Sequence, residues 1–307
     1  MALKKYIPAL MFGNKLSADE TEGLGAVTFG NIFYVDSVNG SDTANPGTSP
    51  TNALASIDAA IGKCTANHGD VVYVLQGHSE TPTATITLDV EGVTVIGLGE
   101  GTARPLVTSS NATAAVSITA ANCRFSNIRF ALGVATITNC FSIAADGATV
   151  DNCETIVHAT SQFTNHLTAT DSQFVRIYNN KFHTLEAASS TSGIVVDGCD
   201  DIEIVGNDVQ GHFGEHALDN TTPASCDEIL RGYIAFNTIR NASVTAGDLA
   251  VELDANATGF FYKNMLSCGL ATTAAGYDIG NMASMESYIV DDAGIDVCGI
   301  VLGTPAV

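Results

Sequence analysis

Tryptophan is missing altogether from this sequence, and Lys and Arg together number only 12 against 33 Asp and Glu. The net charge is therefore 12 − 33 = −21. A chain this acidic, without clustered cations, is not built to hold nucleic acid or an anionic membrane. Its acidity reads as a solvated surface, or as a face for cations or a basic partner. No run approaches the ~18 apolar residues of a membrane span. A basic start, Met1 to Tyr6, is followed by Ile7-Pro8-Ala9-Leu10-Met11-Phe12, too short for the apolar core of a secretion signal. That leads us to expect synthesis and assembly in a cytosol. None of the eight cysteines forms a CxxC pair, so spacing gives no zinc site. They read as reduced core residues, with Cys199 and Cys226, 27 apart, able to stack or pair if oxidised. With no Trp, and Tyr and Phe mostly at inward strand positions, few rings remain to stack on sugars.

What is present is a repeat. Short apolar runs end beside Gly or Asn at a nearly constant interval. Taking Val95, Phe125, Val150, Ile177, Ile204, Ile234 and Phe261 as anchors, the steps are 30, 25, 27, 27, 30 and 27. Counting outward adds Val72 before them and Tyr288 after. The runs last three to five residues and are rich in Val, Ile, Phe and Thr, so they are strands and not helices. Repeats of this length mark a solenoid. The chain is 46% hydrophobic and 15% charged, as coils with buried inner faces require. We therefore expect an all-β fold: a single-stranded, right-handed parallel β-helix of about nine coils with an N-terminal capping helix. Asn127, Asn152, Asn179, Asn207, Asn237 and Asn264 recur at the turns. Asn tolerates left-handed φ, and stacked amides can form an inward ladder.

Three parts follow. Residues 1–30 carry no coil pattern and are either a frayed terminus or an arm for a partner, with Leu3, Tyr6, Ile7, Leu10, Met11 and Phe12 as its apolar contacts. Residues 31–69 read as a cap, with a helix from Pro50 to Ala66, Ser49 as its N-cap and Leu54, Ile57, Ile61 and Cys64 as one stripe. Such a helix would shield the open sheet edge. Residues 70–307 form the β-helix, with an apolar C-terminal cap or subunit contact.

Phe33-Tyr34-Val35-Asp36-Ser37-Val38-Asn39-Gly40-Ser41-Asp42, Asn45-Pro46-Gly47-Thr48-Ser49-Pro50 and Gly69-Asp70-Val71-Val72-Tyr73-Val74-Leu75-Gln76-Gly77-His78-Ser79-Glu80 resemble the opening of parallel β-helix proteins of the pectate-lyase-like superfamily. The resemblance is to the versions encoded by tailed bacteriophages, and it spans residues 32–80. It implies the fold, and it implies lyases, hydrolases, tailspikes or non-catalytic virion proteins on that fold. In a pectate lyase it would imply an acidic calcium cluster with an Arg base. Asp197, Asp200, Asp201 and Glu203, with Arg176 and Lys181 one coil earlier, are the densest acidic group, and a solvated turn and strand face accounts for them. In a tailspike glycosidase it would imply paired carboxylates, for which Glu215, Asp219, Asp227 and Glu228 are the candidates. His212-Phe213-Gly214-Glu215-His216 spells an inverted zinc-peptidase motif, but glycines interrupt it within a β array. Asp36, Asn39, Asp42 and Asn45 lack calcium-loop order and read as a hydrogen-bonded turn. No catalytic, metal or cofactor site is therefore expected.

The resulting expectation is a non-enzymatic virion structural protein, a capsid decoration protein on the particle surface. Its partners would be itself as a homotrimer, by analogy with β-helix virion proteins, and the major capsid protein or another virion protein. The alternative is a tailspike or tail fibre that binds or depolymerises host polysaccharide, and a third reading is a secreted lyase.

Overall fold

A computed structural model describes residues 30–185, 190–221, 227–245, 247–269, 276–291 and 299–301. Three sheets run along the molecule. Sheets A and B have ten strands each and sheet C eight, and neighbours in a sheet are successive coils of the chain. Every described pairing between coils is parallel. The one antiparallel pair joins Tyr288–Asp291 to Gly299–Ile300 at the C-terminal end. The chain is a single-stranded parallel β-helix. At ~4.8 Å per strand its sheets extend roughly 45 Å.

The anchors form one inward row in sheet A. Val72, Val95, Phe125, Val150, Ile177, Ile204, Ile234 and Phe261 are paired in register, coil upon coil, and all are buried. Tyr288 is not the next member. The position in register with Phe261 is Ser284, 23 residues on, and Tyr288 lies in sheet B beside Met265. Thr155, Phe182, Val209, Ile239 and Leu266 supply the inner row of sheet B. Phe125, Phe130 and Phe141, one from each sheet, meet with ring centroids 5.0–5.9 Å apart. Cys123, Cys140, Cys153, Cys199 and Cys268 are buried, while Cys226 lies outside the described residues. Burial pushes the Cys153 thiol up to about 12 and Cys199 up to about 11.

The cap belongs to sheet A, because Ile32–Val35 pairs in register with Val71–Val74. The expected long helix is replaced by a 3-10 turn, Pro50–Asn52, and a short helix, Ile57–Ile61. Between them the backbone serves the sheet: Leu54 donates to Tyr34 at 2.8 Å and accepts from Asp36 at 2.8 Å. Ser49 makes no side-chain cap, and the cap is Ser56, whose hydroxyl accepts from Ala59. Leu54, Ile57 and Ile61 are buried over the first coil as the stripe requires, and Cys64 is half-buried. Asp70 fastens the junction, accepting from the Asn31 and Thr65 backbones and sitting 2.6 Å from His68 Nδ1. Burial alone would raise its pKa, but those hydrogen bonds hold the carboxyl below the ordinary range.

Candidate functional site

Sheet A passes to sheet B through a two-residue turn, and its first residue is left-handed in seven coils. These residues are Asn127, Asn152, Asn179, Gly206, Phe236, Lys263 and Glu286. The following residue points inward, and there lies the amide ladder: Asn180, Asn207, Asn237 and Asn264, all buried. Each side-chain oxygen accepts from the backbone N–H one coil back, as Asn207 does from Asn180 and Asn237 from Asn207, both at 2.9 Å. Each amide nitrogen donates to a strand carbonyl, Asn207 to Ile177 and Asn237 to Ile204, both at 2.8 Å. Cys153 donates its N–H into one end of the ladder, and the Ser287 hydroxyl accepts at the other. The six expected ladder residues thus divide. Asn207, Asn237 and Asn264 stack inward. Asn127, Asn152 and Asn179 occupy the left-handed corner one residue earlier, and Asn180 takes the place assigned to Asn179.

Sheet C returns to sheet A through longer loops, and here the acidic residues gather. Asp171, Gln173, Asp200, Asp227 and Glu228, from three successive coils, line an open recess of about 420 Å³. Backbone bonds hold its walls: Asp227 N–H donates to Asp197 at 2.8 Å, and Gly198 N–H donates to the Asp227 carbonyl at 3.0 Å. Asp201 turns away on left-handed backbone and pairs with Arg231 through two bonds of 2.9 and 2.8 Å. That hydrogen bonding and the guanidinium charge hold Asp201 below the usual carboxylate range. Arg231 also reaches Asp200 at 3.3 Å. Glu203 lies on the outer face of sheet A, flanked in register by Arg176 and Tyr233. The group expected around Asp197 is therefore split between a recess wall, an ion pair and a strand face.

The second acidic group also divides. Asp227 and Glu228 belong to the recess. Asp219 is buried in sheet C, where it accepts from the Ser192 and Thr221 hydroxyls at 3.0 Å. His216 sits nearby with Nε2 2.7 Å from Glu252, and its Nδ1 accepts from Leu249 N–H. Burial pulls the His216 pKa down, but the Glu252 hydrogen bond and the charges of Asp219, Glu252 and Glu215 outweigh it and the value is raised. His212 to His216 form no helix. Asp36 and Asp42 are occupied by turn bonds, Asp36 with Val38 N–H and Asn39, Asp42 with Ala55 N–H and Ser56. Among the described residues no group of three or more His, Cys, Asp or Glu has metal-holding geometry.

One buried polar unit was not legible beforehand. His166 lies inside the solenoid, with Nδ1 2.9 Å from the Thr155 hydroxyl and Nε2 3.2 Å from Ser190. Phe163, Phe182 and Phe213 surround it. Full burial takes its pKa down to about 3, so the ring is neutral. The apolar contacts expected at Leu3, Tyr6, Ile7, Leu10, Met11 and Phe12 lie outside the described residues.

No family model and no curated protein matches this chain. Among solved structures it is similar to the pectin methylesterase from Aspergillus niger, at 16% identity over 90% of both chains with a TM-score of 0.45. It is similar to a rhamnogalacturonan lyase at 12% identity over 78% of this chain and 69% of the other, TM-score 0.45. It is also similar to the Dettilon tailspike protein at 15% identity over 86% of this chain and 63% of the other, TM-score 0.40. Two of these are named as enzymes. That corrects the expectation of a non-enzymatic chain, because the shared fold is one on which enzymes are built. The physical reason is that a solenoid assembles outward groups from successive coils, about 27 residues apart, as it does around the recess. What the chain shares with these structures is its fold, the single-stranded parallel β-helix.

Proposed function

We propose that this chain is a structural component of a tailed-phage particle, held on the particle surface as a capsid decoration protein and assembled as a homotrimer. The observation that carries this reading is the cap. Residues 32–80, the stretch that resembles phage-encoded β-helix proteins, fold as one unit that covers the first coil and continues sheet A. Backbone from Gly47 and Leu54 bonds the outer edge of Ile32–Val35, so the N-terminal edge of sheet A is occupied and closed to pairing by other chains. Residues 1–30 lead into this capped end and are the segment assigned to the contact with the major capsid protein or another virion protein. Deleting residues 1–29 is expected to abolish binding to particles while leaving the thermal melt of the rod unchanged. Full binding by the truncated rod would overturn the attachment, and density at the tail tip in a cryo-EM map of the particle would overturn the decoration role.

A second reading has its own observation. The recess of Asp171, Asp200, Asp227 and Glu228 is open, acidic and shared by three coils. Carboxylates so placed accept hydrogen bonds from hydroxyl-rich ligands, which suits a host surface polysaccharide. Incubation with host polysaccharide, followed by reducing-end and binding assays, tests it. An effect lost in Asp227→Asn supports the recess, and its absence in the full chain removes this reading.

A further inference from the structure

The outer face at the A–B corner changes character along the rod. One row of sheet B, paired in register, reads Arg129, Glu154, Lys181, Asp208, Thr238, Met265, Tyr288. In sheet A the neighbouring row passes from Asp151 and Tyr178 through Val205 and Ala235 to Tyr262 and Met285. The last three coils therefore present Phe236, Phe260, Tyr262, Met265, Met285 and Tyr288 together. All but Tyr262 expose between 51% and 58% of their surface. Phe236 packs edge-on against Tyr262 with centroids 5.3 Å apart. At about 100 Å² on each of five large side chains, the patch is roughly 500 Å². That lies toward the upper end for an isolated soluble protein and is over half of the ~800 Å² that one partner contributes to a standard interface.

Phe236 adds an independent observation. Its φ is +57°, where the four preceding coils place Asn or Gly and the two following place Lys263 and Glu286. A bulky residue there costs roughly 1–2 kcal/mol, and its ring stays half-exposed. Charge indicates the occupant. With a net charge of −21, two copies repel across most of their surfaces. The charged residues at the turns of these coils are Lys263 and Glu286, which pair with each other at 3.2 Å, with Lys263 also lying 5.1 Å from the Tyr262 ring centre. Aromatic and Met side chains with few charges are the composition of interface cores.

We propose that this corner is the self-association face, on which a second copy of this chain docks through the same three coils in a closed cyclic assembly. The inference rests on the homotrimer reading above and gives it a face, but it stands apart from particle attachment, which is assigned to residues 1–30.

The test is sedimentation of the full chain across a concentration series, at low and high salt. The expected mass is a multiple of 31.7 kDa, with association strengthened by salt as repulsion is screened. A variant carrying Phe260→Glu and Met285→Glu is expected to weaken association at least ~100-fold with an unchanged melt, because both side chains face outward. Lys181→Glu in the polar part of the same corner is expected to change nothing. A monomeric full chain at ~100 μM, dissociation by salt, or a double variant that stays assembled would each overturn the proposal. So would a monomer whose apolar-dye binding rises on removal of residues 302–307, which would reassign the face to the chain's own tail.

Discussion

The two halves of the A–B corner share one backbone plan and differ in what they present outward. From Asn127 to Gly206 the left-handed position holds Asn or Gly, and the flanking row alternates Arg129, Glu154, Lys181 and Asp208. From Phe236 onward the same position holds Phe, Lys and Glu, and the row becomes Thr, Met and Tyr. Beneath both, the buried position carries polar side chains without interruption from Asn180 to Ser287. From Asn180 onward the inner row is thus set by backbone hydrogen bonding, while Ile128 and Cys153 fill the same place earlier with apolar side chains. The outer row is free of that demand, so its change of chemistry reports on what the surface meets.

Removing a rung is the largest break available. Asn207→Leu would strand the Asn180 N–H and the Ile177 carbonyl in a dry interior, besides losing the amide bonds to Asn180 and Asn237. Several unsatisfied buried groups at ~1–3 kcal/mol each give an expected loss of about 3–5 kcal/mol, read as a lower denaturation midpoint. Asn152→Gly, at the corner one residue before the inward row, keeps the left-handed turn and is expected to cost under ~0.5 kcal/mol. Equal losses in the two variants would dissolve the distinction between inner and outer rows.

The solenoid was legible because inward residues repeat at the coil period, and the eight anchors from Val72 to Phe261 form one paired row. Reading stopped where the coil shortened, since Ser284 is neither apolar nor 27 residues on. The ladder was half legible for a related reason. Its members stand three residues after the anchor in every coil, as Asn180 follows Ile177 and Asn207 follows Ile204, while the corner residue stands two after. Counting from the anchor separates the rows; searching for the nearest Asn confuses them where Ile128 or Cys153 holds the inward place. The recess was not legible as a unit, because Asp171, Asp200 and Asp227 are each about a coil apart and meet only when the coils stack. The exposed corner is hidden from a reading by residue type, which ranks Phe and Tyr as core, although Phe260 and Tyr262 flank the inward Phe261 and must face out.

A smaller effect sharpens the contrast between interior and surface through pH. The His166 value is about 3 in the folded chain against 6.5 for the free group. As pH falls below 6.5 only the unfolded chain takes up this proton, so the stability held by the neutral ring is whole above ~6.5 and drains away toward pH 3. Between pH 7 and 5 the loss is about 2 kcal/mol at ~1.4 per pH unit. His166→Gln keeps a donor and an acceptor but does not titrate, so its loss over that interval is expected to be smaller by about that amount. Denaturant titrations at the two pH values check it, and equal losses would show that the ring is not held neutral. His216, raised by its carboxylates, has the opposite sign: its contribution is whole below 6.5 and is lost as pH rises through its folded value.

The smallest effect bears most directly on why the two halves differ. Phe236→Asn would give the C-terminal corner the residue that Asn127, Asn152 and Asn179 supply elsewhere. Asn adopts left-handed φ readily, and Phe236 is half-exposed, so the substitution removes strain and forfeits little burial. We expect stability to rise by about 0.5–1 kcal/mol, set by relief of strain less the lost Tyr262 contact. Association should weaken in the same variant. A gain in stability together with a loss of association would mean that Phe is kept at this turn against the preference of its own backbone, for a contact outside the fold. A loss of stability would mean that the Tyr262 contact outweighs the strain and that Phe236 serves the coil itself, and the difference between the two halves would then be one of packing.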